Sequence, residues 1–144
     1  MTHISLPESI EEIPEGCFSY SGLEEIVIPR KVKKIVGNGC CSGAFQCCGN
    51  LRSVVFEQGS ELTEIGNWTF YKCRSLQNIC LPDKLREIGW SAFSWTSLTE
   101  VQIPASVQTV GSSAFPEQAV ILRPEDYQPE GVLTANMVRE MLGK

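Results

Sequence analysis

The sequence predicts an α/β solenoid, a right-handed coil of short parallel strands around one continuous apolar interior. Phenylalanine recurs at Phe18, Phe45, Phe70, Phe93 and Phe115, at intervals of 27, 25, 23 and 22 residues. Four prolines share one position of this repeat, and two of the intervals between them are 22 residues: Pro7, Pro29, Pro82 and Pro104. A period of this kind over most of a 144-residue chain is typical of repeat architectures, in which each unit stacks on its neighbours.

The composition is that of a folded protein with an acidic surface. A hydrophobic content of 42%, a charged content of 20% and a mean hydropathy of -0.05 are ordinary for one domain. The formal net charge of -5 argues against a nucleic-acid partner, because such proteins carry a basic surface that releases counterions from phosphates. No apolar run approaches the ~18 residues of a membrane-spanning helix, so we expect no membrane insertion.

The N-terminus and the cysteines bear on the compartment. The first residues lack the basic and apolar regions of a signal peptide, so the chain as written is expected in the cytoplasm. If it is a fragment of a longer protein, the cell surface is expected instead. Seven cysteines cannot all pair internally, which favours structural thiols in a reducing compartment.

Alternating apolar residues predict a short strand in each repeat, and these strands form what we name the first wall. Ile26 and Ile28, like Ile79 and Leu81, are separated by one residue, so both members of each pair point to the same, buried side. Proline then ends the strand because it has no N–H to donate. The residue between the two apolar positions therefore faces outward.

A second apolar pair, three residues apart, predicts the opposite or second wall of each coil. Leu85 and Ile88 fit an extended or 3₁₀-like segment, and we expect this wall to be irregular. Gly66, Gly89 and Gly111 follow such pairs at a tight corner, where a positive φ is expected. The Ala-Phe pair after the corner is expected to place its ring between coils, so that the rings form a stacked spine.

The repeat divides the chain into about five coils of roughly 22–28 residues, and the solenoid is predicted to occupy residues 1–122. Coil two carries an insertion over 36–43, whose three glycines favour a bulge from a surface turn. A shortened sixth strand at 119–122 follows the last coil. Four of the coils are taken as residues 4–23, 26–51, 54–76 and 101–115, and coil four is the clearest copy of the repeat, which begins at Ser75 and contains Phe93.

The last residues leave the repeat. Residues 123–131 are rich in turn formers, and the following pattern predicts a helix with Thr134 as its N-cap and Gly143 as its stop. Since the last coil of a solenoid otherwise exposes its apolar face, we predict that 123–144 supply a linker and a C-terminal capping helix. No such cap precedes Ile4, which predicts self-association through the uncapped first strand.

Each repeat follows the order Leu-x-x-Ile-x-Ile-Pro…Val-x-x-Ile-Gly-x-x-Ala-Phe-x-x-Cys-x-x-Leu, most cleanly over 76–98 and 98–115. This order resembles that of the BspA-like leucine-rich repeat family. Cys48 and Cys73 match the family's cysteine, and Thr96 replaces it in coil four. The resemblance covers residues 4–122 and implies that family's fold. Because many members are surface proteins that attach to host or extracellular proteins, it also implies a binding or adhesive role.

Catalytic and cofactor chemistry have few candidate residues. His3 is the only histidine and lies near the terminus, and the carboxylates fall at solvent-facing positions without forming an acid–base pair. We therefore predict no enzyme activity, no cofactor and no metal. Four thiols are close in sequence: Cys40, Cys41, Cys47 and Cys48. The alternatives for this group are structural thiols, a disulfide, and a zinc site in a thiol-dependent regulator.

The outward positions of the first wall are the candidate binding surface. Val27, Val55 and Cys80 are expected to form an exposed apolar stripe bordered by polar side chains, and such patches often mark interaction sites. We therefore predict a non-enzymatic scaffold that binds a protein partner, of unspecified identity, through this wall. The alternative is a structural or adhesive repeat fragment of a larger cell-surface or fusion protein. The complete predicted set is Glu25, Val27, Ser53, Val55, Asn78, Cys80, Glu100 and Gln102.

Overall fold

Short parallel strands form two walls of a solenoid in the computed structural model, which describes residues 3–37 and 42–122. The predicted linker and capping helix over 123–144 lie outside the described residues, as do Cys40 and Cys41. In chain order the strands are β1 (His3–Ile4), β2 (Glu12–Ile13), β3 (Glu25–Ile28), β4 (Lys34–Ile35), β5 (Ser53–Phe56), β6 (Glu64–Ile65), β7 (Glu87–Ile88), β8 (Glu100–Gln102), β9 (Thr109–Val110) and β10 (Val120–Leu122).

The first wall contains two separate sheets. One has the order β1-β3-β5 and the other pairs β8 with β10, all in parallel. Buried and exposed residues alternate along β3, as predicted, so Ile26 and Ile28 face the interior while Val27 faces out.

Coil four interrupts this wall, although its sequence is the most regular repeat in the chain. Residues 77–82 form no strand, so the prediction of a strand with Ile79 and Leu81 on its buried side is only half right. Ile79 is buried, but its backbone is not paired with coil three or coil five. Asn78 occupies the position held by Ser53 and Glu100 in neighbouring coils, and asparagine is unfavourable in strands because its side chain competes for backbone groups.

The second wall is a continuous five-stranded sheet in the order β2-β4-β6-β7-β9. The extended alternative for this segment is therefore correct, and the prediction of an irregular wall is wrong. Ile13, Ile35, Ile65 and Ile88 follow one another in register, and Val110 continues the row. These β-branched side chains pack well on a pleated surface, and each is flanked by a residue that faces outward. A strand of two residues has no alternation to detect, which is why sequence periodicity alone did not reveal it.

The corner glycines are required for close approach and not for a positive φ. Gly66, Gly89 and Gly111 have ordinary negative-φ backbones, which corrects the predicted conformation. A Cβ atom added to Gly111 would lie 2.6 Å from the amide nitrogen of Trp90, and one on Gly66 would lie 2.7 Å from the carbonyl oxygen of Ile35. The neighbouring coil's backbone therefore occupies the space of a side chain.

Positive φ values occur instead on both sides of the repeated phenylalanine. Four non-glycine residues two positions after the ring have φ of 60° to 62°: Tyr20, Cys47, Lys72 and Trp95. Three more, two positions before it, have φ of 51° to 65°: Trp68, Ser91 and Ser113. The chain thus reverses direction on each side of the ring and directs it inward. Such residues cost about 1–3 kcal/mol each, which the burial of the rings offsets.

The predicted aromatic spine is confirmed. Successive rings of Phe18, Phe45, Phe70, Phe93 and Phe115 are stacked with centroids 5.2–5.3 Å apart and interplanar angles of 1° to 13°. The three central rings have no exposed surface. A backbone ladder follows the same column, since the N–H of each of the first four phenylalanines donates to a carbonyl of the next coil at 2.7–2.9 Å.

Replacing the central ring tests the energetic role of the spine. Phe70→Ala is expected to lower the free energy of unfolding by about 3–5 kcal/mol, because it leaves a cavity between two buried rings. Phe18→Ala should cost less, since Phe18 is only half-buried and stacks on one neighbour. Urea unfolding followed by circular dichroism measures both, and equal losses would contradict a spine whose centre carries the greater burial.

Alanine substitution also tests the close approach at the corner. Gly66→Ala should destabilise the fold by roughly 1–3 kcal/mol or more, because the added methyl group meets backbone atoms that cannot rotate away. Gly49→Ala is the matched control, since a Cβ there has no atom within 4 Å and φ is not positive. It should leave stability unchanged or slightly raised. The corner explanation is wrong if thermal unfolding places the two variants at the same temperature.

Candidate functional site

The eight predicted residues all lie on the first wall, where they separate into two groups. The first, which we name the valine patch, consists of Val27 and Val55 with Glu25 and Ser53 beside them. Val27 and Val55 are register partners on β3 and β5, as are Glu25 and Ser53. The two valines are 40% and 49% exposed. Adjacent exposed valines form a small apolar surface on a backbone that is fixed by pairing.

Arg52 pairs with both carboxylates at the border of the valine patch and offsets part of their charge. Its Nη1 lies 3.1 Å from Oε1 of Glu24, and its Nη2 lies 3.6 Å from Oε2 of Glu25. Because all three side chains retain solvent contact, these pairs contribute at most about 1 kcal/mol to stability. The two ion pairs do hold the carboxylates of Glu24 and Glu25 beside the patch. This half of the wall therefore presents apolar surface next to carboxylates that are paired with an arginine.

The second group lines an open cavity of about 800 Å³ on the same wall, which we name the coil-four cleft. Asn78 and Cys80 lie on one side, and Glu100 and Gln102 of β8 on the other. All four are exposed. The predicted stripe is therefore divided, because Cys80 belongs to the cleft and does not continue the paired row of Val27 and Val55.

The coil-four cleft also contains residues that the sequence analysis did not select. Leu81, Pro104 and Leu122 contribute half-buried apolar surface, and Asp83 adds a second carboxylate to that of Glu100. Among the described lining residues there is no lysine or arginine. The sequence signal that could have identified Asp83 is its position directly after Pro82, one of the prolines that end the first-wall segment of a repeat.

Unpaired backbone distinguishes coil four from the rest of this wall. Within the described chain, the N–H and C=O groups of residues 77–81 form no hydrogen bond with the backbone or a side chain of another residue. On the adjacent coils, β5 pairs only with β3, and β8 pairs only with β10. Both sheets therefore present a strand edge toward coil four.

Exposed aromatic residues close in sequence to the repeated phenylalanine were also missed by the sequence analysis. Tyr20 and Trp95 occupy the left-handed position two residues after the ring, and Trp90 follows a corner glycine. Their periodic distance from Phe18 and Phe93 was the available signal. None of the three lies in the paired strands that carry Val27 and Val55, so they are not part of the valine patch.

The described thiols are single groups within the repeat. Cys17, Cys47, Cys48, Cys73 and Cys80 are all free. The Sγ of Cys48 donates to the carbonyl of Phe18 at 3.0 Å, and that of Cys73 to the carbonyl of Phe45 at 3.1 Å. Thr96 takes the same position in coil four, and its hydroxyl donates to the carbonyl of Phe93 at 2.8 Å. This column thus supplies small donors that satisfy interior carbonyl groups.

Burial raises the pKa of the Cys48 thiol, and it raises that of Cys73 further. Both are therefore protonated and unreactive at neutral pH. Over residues 3–37 and 42–122 no three potential ligands approach closely enough for a metal ion. The alternatives for the full group of four thiols stay open, because Cys40 and Cys41 are outside those ranges.

Comparisons with known proteins agree with this architecture. A family model described as "BspA type Leucine rich repeat region" matches residues 1–121 in six copies. No curated protein sequence matches. Over the described residues, no helix is long and apolar enough to cross a membrane.

Several solved structures are similar. A leucine-rich repeat protein from Bacteroides ovatus is 26% identical, with a TM-score of 0.73 over 88% of this chain and 34% of its own. The leucine-rich repeat protein of T. pallidum is 31% identical, with a TM-score of 0.69 over 81% of this chain and 54% of its own. The pneumococcal vaccine antigen PcpA is 23% identical, with a TM-score of 0.64 over 86% of this chain and 40% of its own. This likeness supports the fold alone. This chain thus spans about a third to a half of these proteins.

The raised pKa of Cys73 predicts a loss of stability in alkali. Below about pH 8.5 the thiol is protonated in both the folded and the unfolded chain, so its contribution is fully present. As the pH rises further, the unfolded chain loses the proton while the folded chain keeps it, and the free energy of unfolding falls. Cys73→Thr should show a shallower decline between pH 8 and 10, because Thr does not titrate.

Urea unfolding at several pH values measures this difference, and Cys80→Thr provides the control. Cys80 is exposed, so this variant makes the same substitution without removing a buried thiol. Parallel profiles for the parent and Cys73→Thr would show that burial of this thiol does not govern the alkaline response.

Proposed function

Because the chain belongs to the BspA-type leucine-rich repeat family, we propose that it is a non-enzymatic scaffold that binds a protein partner through the first wall. A repeat scaffold for protein interaction or adhesion is the role that this family suggests. The wall is the finer part of the proposal. It is supported by one observation above all, the adjacent exposure of Val27 and Val55 on paired strands.

The physical argument is that this surface is already ordered. Hydrogen bonds hold β3 and β5 together, and Ile26, Ile28 and Val54 fix their inner sides in the core. A partner therefore need not immobilise the backbone on binding, and that saving in entropy favours affinity. Removing the outer valine surface from water contributes further, at roughly 25 cal/mol per Å² of apolar area.

The alternative function, a structural or adhesive repeat fragment of a larger cell-surface or fusion protein, has its own support. The similar solved proteins are about two to three times as long as the region that this chain matches. In that case the repeats of the longer protein would share the binding surface, and the first wall described above would be one section of it.

A charge introduced on the valine patch tests the proposal. Val55→Glu is expected to reduce capture of a partner from an extract of the source organism by at least about tenfold, because it places an unpaired carboxylate in the buried contact. Quantitative mass spectrometry of captured proteins gives the measurement. The partner is then purified, and its direct binding to the parent chain is measured.

Thr109→Glu is the matched control, since Thr109 is an exposed strand residue on the second wall. It should capture the same partner as the parent chain. Circular dichroism confirms that both variants fold. A partner that is retained equally by the parent, Val55→Glu and Thr109→Glu would contradict binding through the first wall.

A further inference from the structure

The gap in the first wall at coil four is local, and the rest of coil four is held in place. On the second wall β7 pairs with both β6 and β9, and the ring of Phe93 stacks between those of Phe70 and Phe115. In the part of the chain that the structure describes, it is on the first wall that the backbone of coil four lacks partners, over residues 77–81. The gap is therefore a feature of one wall of an otherwise regular coil.

Hydrogen bonds on the N-terminal side of the gap also fix its position. The hydroxyl of Ser75 donates to the carbonyl of Gly49 at 2.7 Å, and the N–H of Ser97 donates to the carbonyl of Leu76 at 2.9 Å. After the gap, the N–H of Arg86 donates to the carbonyl of Thr63 at 2.8 Å. The carbonyl of Arg86 in turn accepts from the N–H of Gln108 in coil five at 2.8 Å. Coil four is thus bonded to both neighbours outside the unpaired segment, so the opening is formed before anything binds to it.

The unpaired backbone defines the first requirement of an occupant. Peptide N–H and C=O groups removed from water must be paired, and an edge that faces a gap is a template for another strand. Ile79 has an almost completely buried side chain, which holds the segment against the core, while Asn78 and Cys80 on either side of it are exposed. An extended peptide beside this segment supplies backbone donors and acceptors at the spacing of the groups that lack partners.

The side chains of the coil-four cleft define the second requirement. Asp83 and Glu100 are its two charged residues, and neither forms an ion pair with a described residue. Leu81, Pro104 and Leu122 provide apolar surface nearby. A volume of about 800 Å³ is in the range of clefts that enclose a ligand. The surface therefore favours a segment in which basic and apolar side chains alternate.

We propose that the coil-four cleft binds an extended, basic segment of the partner protein, which pairs with the backbone of residues 77–81 as an added strand. Alternate side chains of the segment point in opposite directions, so its lysines or arginines face Asp83 and Glu100 while its apolar residues contact Leu81 and Leu122. The inference rests on the proposed function and names the chemistry of the segment that would be recognised. The valine patch then binds a folded surface of the same partner.

A synthetic peptide tests this directly. The probe is a fluorescein-labelled hexapeptide of alternating lysine and valine, blocked at both ends, and its binding to the full chain is followed by fluorescence anisotropy. We expect saturable binding that weakens as salt is added. The same peptide with alternate backbone nitrogens methylated should bind at least about tenfold more weakly, because the pairing hydrogen bonds are lost. Equal affinity of the two peptides overturns the added strand.

Charge variants test whether the acidic side chains of the coil-four cleft attract the basic peptide. Glu100→Lys should weaken binding of the lysine–valine peptide by about tenfold, since it removes one attraction and adds a repulsion. Glu87→Lys makes the same change of charge on the second wall and should leave affinity within about twofold, because that residue is outside the cleft. If both variants weaken binding equally, the peptide responds only to net charge and the assigned site is wrong.

The exposed thiol of Cys80 reports occupancy at the cleft itself. Addition of the peptide should slow alkylation of Cys80 by iodoacetamide, as read by mass spectrometry, and leave the alkylation rate of Cys17, also exposed, unchanged. Unprotected Cys80 in the presence of saturating peptide overturns the site. A dimer detected by light scattering in which Cys80 is protected without peptide also overturns it, because a second copy would then occupy the gap.

Failure of this inference can be separated from failure of the proposed function. If Val55→Glu abolishes partner capture while the peptide does not bind, the first wall binds a partner but the coil-four cleft does not take a basic strand. If partner capture is insensitive to Val55→Glu and the peptide still binds with Cys80 protected, the cleft functions without the valine patch.

Discussion

Neighbouring coils approach so closely at the corner after the second wall that a Cβ atom on Gly111 would lie 2.6 Å from the amide nitrogen of Trp90. The same approach allows the N–H of Gly111 to donate to the carbonyl of Ile88 at 2.8 Å. It also matches the separation of 5.2–5.3 Å between successive rings, which is slightly larger than the ~4.8 Å between paired strands. Backbone pairing and ring stacking therefore require nearly the same spacing, and on the second wall every coil meets both requirements.

That spacing determines which side chains the interior accepts. Between the stacked rings and the next coil there is room for a small residue whose hydrogen-bond donor reaches a carbonyl group, and cysteine or threonine fills it at Cys48, Cys73 and Thr96. Since these groups are used within the core, their chemistry is not available to a partner. The outer faces of the walls provide the accessible functional groups, and this is why the candidate sites are surfaces and not an enclosed centre.

Much of this architecture could be predicted from the sequence because the signal repeats. The interval between Phe45 and Phe70 identifies a column, and alternation at Ile26 and Ile28 identifies the first wall. The second wall could not be identified in this way, since a pair such as Glu87 and Ile88 has no internal period. A glycine such as Gly111 reports only that a side chain is excluded, and the sequence does not distinguish a positive φ from a neighbouring backbone.

The candidate site was predicted in part for the same reason. Val27 and Val55 were selected correctly as outward residues because their neighbours alternate. Cys80 satisfies the same pattern, yet its backbone is unpaired, since pairing depends on the adjacent coils as well as on the local sequence. The coil-four cleft is a property of the stack, so no single repeat contains it.

The interrupted first wall has a mechanical consequence. When the two ends of a solenoid are pulled apart along its axis, the load passes from coil to coil through hydrogen bonds that act in parallel on the two walls and at the corners. Among the described residues, 77–81 of coil four transmit none of this load through hydrogen bonds, because they are bonded to neither neighbour. Extension under force should therefore begin on this side, with β6, β7 and β9 acting as the hinge about which the solenoid bends open.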